Sequence, residues 1–462
     1  NQEIAVNEAK STEHSSLIDQ TAAADDVADF KASKDAAVSS QEVESIKIDD
    51  STGMGEKWIY CRTCLNTCEN IHPTRREKCI SLPTLDNTLD FSEEVITEIT
   101  QKYVEAKLKT EDKEIANIVH VILPDSVTSI GDYAFHNFDT LITIDLSNCK
   151  NLKSIGIGAF GSCKKLTNFT LPESLDSIEN SAFFGCTKLT TLTLPANLKV
   201  IGACAFNYCD ALKTLNLSNC TKLMTIEDSA FHGCKALKTL NLSNCIKLTS
   251  IGDNAFHGCN ALTELTLPAN LTSIGDEAFY RCNVLKTLDL SKCKQLTSIG
   301  KEAFFGCKKL TNFTLPGSVK SIGNSAFLGC TKLTVLTLPK SLESINEWAF
   351  DYCDALITLD LSKCINLKSI GDSVFNGCNK LTTLTLPENL TSIGIGAFYR
   401  CNELTTLTLP VDLTSIGDEA FYECNALTTL TLPANLTSIG NEAFYDCNAL
   451  TTLTLPANLT SI

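Results

Sequence analysis

Four cysteines near the amino terminus, Cys61, Cys64, Cys68 and Cys79, with His72 among them, form the densest group of metal ligands or disulfide partners in the sequence. Cys61 and Cys64 have the C-x2-C spacing of one half of a zinc site, where two intervening residues let both thiolates reach a tetrahedral ion. Cys68 and Cys79 supply no second close pair. Four cysteines also allow three disulfide pairings, and spacing does not choose among them. A disulfide-pinned cap is the expected reading, with zinc and free thiols as its alternatives.

The six histidines are His14, His72, His120, His136, His232 and His257. His136, His232 and His257 each follow the Phe of a repeated Ala-Phe pair, where a solvent-facing side chain is expected. His232 and His257 fall in neighbouring copies and could touch one metal ion, but exposure without a ligand is the simpler expectation. No nucleophile elbow, phosphate-binding loop or H-E-x-x-H motif occurs. The reading is of a chain that is not an enzyme and uses no metal or cofactor.

A third set of polar residues alternates with leucine. Thr191 and Thr193, Thr383 and Thr385, Thr406 and Thr408, Thr429 and Thr431, and Thr452 and Thr454 flank the middle Leu of successive Leu-x-Leu runs. Asn216, Asn241, Glu264, Asp289 and Asp360 interrupt the same rows. Threonine suits a solvated strand, and Thr ladders stabilise one another, so a purely structural role is one reading. The other is a polar face for a protein or glycan partner, with Asn216, Asn241, Glu264, Asp289, Asp360, Thr383 and Thr385 as candidate contacts. The Asp and Asn residues depart from the consensus where the fold has no evident need of them. Few aromatic or Arg anchors share these rows. T-x-T rows on stacked strands also resemble ice-binding solenoids, a minor alternative.

These residues are positioned by a repeat. The unit LTTLTLPANLTSIGNEAFYDC, Leu427 to Cys447, recurs from about residue 118 onward, with its Phe returning from Phe135 to Phe444 at steps of 23 or 25 residues. A period of that length means a solenoid. Within one unit, Leu427, Leu430 and Leu432 have the period of a strand with one buried face, and Pro433 stops that strand. Leu436 and Ile439 return to the core. Gly440 and Asn441 read as a turn and helix N-cap, and Ala443, Phe444 and Cys447 fall at helical spacing. Glu179, Glu227 and Asn346 replace the glycine in their copies, so a positive φ is not expected there.

Five longer copies read L-x-x-L-x-L-S-x-C-x-x-L and carry Cys149, Cys220, Cys245, Cys293 and Cys364. This pattern resembles leucine-rich repeats, in which that Cys faces the interior. The shorter LPxxLxxIGxxAFxxC form resembles the BspA-like subclass, named for a bacterial surface antigen. The resemblance implies an α/β leucine-rich-repeat solenoid with a curved parallel sheet of about 15 strands and short helical or 3-10 segments on its convex side. It also implies a surface or adhesive role.

The chain has 462 residues, 44% of them hydrophobic and 7% aromatic, with a formal charge of −16. Such a balance disfavours nucleic acid or an anionic membrane as partner. Thirteen of the 23 cysteines are the repeat Cys three places after Phe. Equivalent positions on stacked strands sit about 4.8 Å apart with parallel Cβ vectors, unlike a disulfide, so these thiols are read as small buried apolar groups. No run of 18 apolar residues is present. Sequons such as Asn270 and Asn435 follow from the repeat consensus and say little about glycosylation.

Residues 1–56 read as an acidic, low-complexity, disordered arm. Residues 57–115 read as a cysteine-containing and helical cap, and residues 116–462 as the solenoid. In the cap, Ser92 to Leu108 places Val95, Ile99 and Tyr103 on one helical stripe, with acids first and lysines last, to cover the bare edge of a first strand at Ile118 to Leu123. Leu450 to Leu455 would be the last strand. Because the sequence then stops before the next Ala-Phe segment, further repeats, an anchor or a neighbouring subunit at that edge is expected. The expected role is an extracellular or cell-surface interaction and adhesion module, the alternative being a structural component of a larger extracellular or membrane-associated assembly.

Overall fold

In the computed structural model, residues 87–462 are described. The acidic arm and the Cys61, Cys64, Cys68 and Cys79 group lie outside them. From Thr88 onward the chain is a parallel β-solenoid with very little helix, in which all but two of the turns contribute one three-residue strand beside a two-residue strand.

The three-residue strands are the Leu-x-Leu segments. Thr88–Asp90, His120–Ile122 and Thr143–Asp145 form one sheet, and eleven strands from Thr191–Thr193 to Thr429–Thr431 form another, each paired with the strand of the next turn. Between them, the strand expected at residues 168–170 is absent. At the break the Asn168 Oδ1 accepts the Thr190 and Thr191 amides at 3.1 and 2.9 Å, so a side chain occupies donors next to the missing rungs. Residues 451–456 are likewise not a strand, and the leucines there are less buried than their equivalents, Leu455 being 50% exposed.

A second ladder was not anticipated from the sequence. The Ser-Ile dipeptides pair in register from Glu98–Ile99 to Ser344–Ile345 and again from Ser369–Ile370 to Ser438–Ile439. Each Ile is buried and each preceding residue faces out, so two residues suffice for one strand. The following glycine has no positive φ, as expected. Its role is close approach: a Cβ on Gly252 would lie 2.6 Å from the Glu227 carbonyl carbon of the preceding turn.

The Ala-Phe-x-x-Cys segment is not helical, contrary to the spacing argument. Two left-handed residues bracket each Phe, as at Ser229 (φ 56°) and Gly233 (φ 70°) around Phe231. This geometry splits the amides into two sets. Ser229, Phe231 and Gly233 donate to Asp253, Ala255 and His257 of the next turn at 2.7 to 2.8 Å, while Ala230, His232 and Cys234 donate back within their own turn. A helix would keep all six inside the turn. The alternation therefore builds a third set of turn-to-turn hydrogen bonds, and every buried amide in the segment is satisfied.

Inside these ladders the side chains form columns. The fourteen repeat phenylalanines from Phe135 to Phe444 stack at centroid spacings of 5.2 to 5.6 Å with interplanar angles of 0 to 11°. Burying each ring contributes about 1.5–3 kcal/mol, before the stacking itself. The 19 cysteines of the described residues are free, and all but Cys204 are buried. The repeat thiols donate to the Phe carbonyl of the preceding turn, as Cys259 does to Phe231 at 3.5 Å. Burial pushes the Cys259 thiol up to about 12. Cys149, Cys220, Cys293 and Cys364 of the longer copies do the same at another carbonyl, Cys293 Sγ lying 3.4 Å from the Pro268 oxygen.

The amino-terminal end also differs from expectation. The helix spans Gln101–Thr110, with Thr100 as its N-cap, no acid in the first turn, and Lys107 and Lys109 in the last. Ile99 belongs to a strand and Val95 is 93% exposed, so Val95, Ile99 and Tyr103 form no common stripe. The edge of His120–Ile122 is covered by the strand Thr88–Asp90, paired with it in parallel. Val104 and Leu108 carry the helix onto the same core.

Candidate binding surfaces

All eleven strands from Thr191–Thr193 to Thr429–Thr431 bury their middle residue and expose the two beside it. Asn216, Asn241, Glu264, Asp289, Asp360, Thr383 and Thr385 are therefore all solvent-facing on one sheet. Glu264 lies between Thr239 and Thr287, and Thr383 pairs with Thr358 and Thr406. Asn216 and Asn241 flank a shallow depression that Ser218, Ser243 and Asn244 complete.

Four of these residues have a structural task that sequence reasoning missed. Asn216, Asn241, Asp289 and Asp360 accept the amides of Ser218, Ser243, Ser291 and Ser362 at 2.9 to 3.0 Å. Asp145 treats Ser147 identically at 2.9 Å. In the shorter copies the residue two places on is proline, which has no N–H, and threonine stands at the strand end. In the longer copies a serine restores the donor, and an Asx side chain satisfies it. These four polar interruptions thus follow repeat length. The Ser291 hydroxyl and amide also hold the Asp289 carboxyl below its usual range, and Ser362 does so for Asp360.

The opposite chemistry collects on the Ala-Phe edge. His232, His257, Tyr280 and Phe305 stack at 4.5, 4.5 and 4.6 Å, and Tyr399, Tyr422 and Tyr445 at 4.7 and 4.9 Å. His136, His232 and His257 are half-buried in this edge, where the sequence argument expected full exposure. Burial, then His232 and Arg281, lower the His257 pKa to about 4; the Glu277 carboxylate 3.3 Å from its Nδ1 does not outweigh them. The Arg281 guanidinium lies 5.4 Å from the Tyr280 centroid. Arg400 lies 5.1 Å from that of Tyr399, with its Nε 3.0 Å from Glu423. Among the described residues no group of three His, Cys, Asp or Glu side chains is placed to hold a metal ion.

Two buried polar residues on this edge each carry a side-chain oxygen without a partner. Asn207 and Asp351 occupy the same place six turns apart, immediately after Phe206 and Phe350, and the Oδ1 of each is unpaired. Asp351 is 3% exposed, and burial drives its carboxyl well above the ordinary range, with Asp354 adding to the effect. Asp354 in turn starts an amide chain, accepting from Asn379, which accepts from Asn402, then Asn425 and Asn448, at 2.9 to 3.5 Å.

One parallel strand per turn from a Leu-x-x-Leu-x-Leu segment, a buried Cys in the longer copies and a polar strand face together define a leucine-rich-repeat solenoid. A family model described as the BspA type leucine rich repeat region, in six copies, matches residues 113–238, 224–357, 297–410 and 355–462. The chain belongs to this BspA-type leucine-rich-repeat family. A leucine-rich repeat protein from Bacteroides ovatus is 28% identical, with 74% of this chain and 80% of that one covered and a TM-score of 0.57. A leucine rich cell surface protein from Faecalibacterium prausnitzii is 26% identical over 78% and 82% of the two chains, with a TM-score of 0.39. The T. pallidum leucine rich repeat protein is 36% identical over 34% of this chain and 72% of its own, with a TM-score of 0.31. No curated protein is similar enough to match. No helix among the described residues is long and apolar enough to cross a membrane.

Proposed function

We propose that this chain is an extracellular or cell-surface interaction module, adhesive in role, that binds protein or glycan partners through its solenoid surface. The observation that carries this reading is the eleven-strand ladder with every outward position exposed, nearly all of them polar. At about 4.8 Å per strand it presents a face roughly 50 Å long, ample for a protein-sized partner. Family membership supports binding over catalysis, and the location follows from the resemblance to surface antigens.

Asp289→Asn with Asp360→Asn tests the strand face, because each amide keeps the Oδ1 acceptor for Ser291 or Ser362 while the charge is lost. Capture of the full chain on immobilised extracellular-matrix protein and on cultured-cell surfaces is the measurement. Weakened capture by the double variant supports the strand face. Unchanged capture, with loss instead in His232→Ala and Arg281→Ala, moves the site to the Ala-Phe edge. No capture by the parent chain on any surface removes the adhesive reading.

A further inference from the structure

From residue 116 onward, every Tyr, Trp and Arg lies within two residues of a repeat Phe: Tyr133 and Trp348 before it, Tyr280, Tyr399, Tyr422 and Tyr445 directly after it, and Tyr208, Tyr352, Arg281 and Arg400 one place further. The outward strand positions hold none. These three residue types dominate the energetics of protein interfaces: Tyr and Trp join large area to few rotatable bonds, and Arg adds a planar fork of hydrogen-bond donors. Tyr208 and Trp348 are 44% and 38% exposed.

Their backbone adds weight. Trp348, Tyr352 and Arg400 are left-handed, with φ of 54, 53 and 59°. Glycine fills equivalent places at Gly158 and Gly396, and at Gly233 and Gly377, so the fold accepts the unstrained residue there. A bulky side chain in that conformation costs about 1 kcal/mol or more.

Charge selects the occupant. In the five turns from Asn346 to Cys447, the segments running from the Gly position to the repeat Cys carry seven carboxyl side chains besides the buried Asp351, and one cation, Arg400. Arg400 is itself paired with Glu423. Glu419 has no salt bridge; burial, Glu442 and Asp418 push its carboxyl up. The strand positions of these turns hold one carboxylate, Asp360. Tyrosine faces and edges among carboxylates favour guanidinium and ammonium groups, and Arg400 shows the mode: over Tyr399 and against Glu423.

We propose that the Ala-Phe edge from Trp348 to Tyr422 is a second interaction surface, and that its occupant is a protein segment rich in arginine and lysine. This rests on the interaction-module reading but uses a different face from the strand ladder, so either can fail alone.

Trp348 supplies the readout. The chain has two tryptophans, so a Trp58→Phe version of the full chain reports from Trp348 alone. It is titrated with a ten-residue peptide of alternating Arg and Gly, with the Glu-Gly counterpart, and with calcium chloride. The Arg peptide should change Trp348 emission saturably at physiological salt, and the Glu peptide should not. Tyr352→Phe with Tyr399→Phe, which alters no charge and keeps both rings, should bind the Arg peptide as the parent does; loss in that variant would assign the contact to the hydroxyls and overturn the cation–π reading. Trp348→Ala with Tyr352→Gly, followed by anisotropy of labelled peptide, should weaken binding about tenfold through two lost exposed cation–π contacts. Equal binding by that variant, or loss only in Asp289→Asn with Asp360→Asn, overturns the proposal. So does displacement of the Arg peptide by millimolar calcium, which would make the edge a metal surface.

Discussion

Asp351 should be a liability at neutral pH, and removing its charge should make the protein more stable. Its carboxyl is 3% exposed, has one oxygen without a partner, and is held well above the usual carboxylate range by burial, with Asp354 contributing. The folded chain therefore keeps this proton to higher pH than the unfolded chain, whose aspartates titrate near ~3.9. The contribution of Asp351 is complete below that value and is lost as pH rises through the raised folded value. Asp351→Asn cannot titrate, and Asn207 shows that an amide occupies the equivalent place. An unsatisfied buried polar group costs about 1–3 kcal/mol and a charged one more, so the gain at pH 8 should be on the order of 1–3 kcal/mol. Asp351→Leu, continuing the buried Leu328 of the preceding turn, should gain at least as much. Urea unfolding of the full chain, followed by far-UV circular dichroism from pH 4 to 8, measures this. The advantage of Asp351→Asn should be small at pH 4 and grow with pH. A pH-independent advantage, or a less stable variant at pH 8, would refute the reasoning.

Phe256→Ala should destabilise by about 3–5 kcal/mol, because a ring stacked on both sides leaves a cavity between rigid ladders; a loss under about 1 kcal/mol in urea unfolding contradicts the column. The fold favours neutral His257, whose stabilising contribution is complete above about 6.5 and lost as pH falls toward its folded value of about 4. His257→Phe, following Phe305 in the same stack, should flatten the stability profile across that window, and an unchanged profile by thermal unfolding counts against it. Alkylation with mass spectrometry should find Cys259, Cys282 and Cys307 unreactive in the native protein and free after denaturation; cross-links among them would contradict the thiol-to-carbonyl arrangement.

The repeat, the strand with its alternating burial and the Phe column were legible because each is a periodicity of one residue type. What was not legible depends on backbone conformation. Ala443, Phe444 and Cys447 have helical spacing, yet left-handed Glu442 and Asp446 convert the segment to turns, and the glycines that fill these two places in other copies are the only sign of it in the sequence. The Ser438–Ile439 ladder is two residues long, too short for a period to register. Asp289 and Asn216 looked like departures from the consensus because Thr is the commoner residue; compared against Pro or Ser two places later, they are explained by a single amide. The Ala-Phe edge is hidden in the sequence for the opposite reason. Its Tyr and Arg residues were each visible in the sequence, but their shared location becomes evident only when positions are counted from the Phe.

The two-residue insertion in the longer copies has a consequence for how such a chain responds to force. Ser-x-Cys is absorbed between two strands without shifting either ladder, since Thr287–Asp289 still pairs in register with both neighbours. Where the ladders run unbroken, turns of 23 and 25 residues are therefore mechanically alike: each is held to the next by the same three sets of hydrogen bonds and one ring contact. Pulled by its ends, the solenoid should lose terminal turns one after another, each releasing about 80 Å of slack at 3.3–3.6 Å per residue. A tether that lengthens in equal steps dissipates work at every step, so a load on one end need not reach a contact held elsewhere along the row.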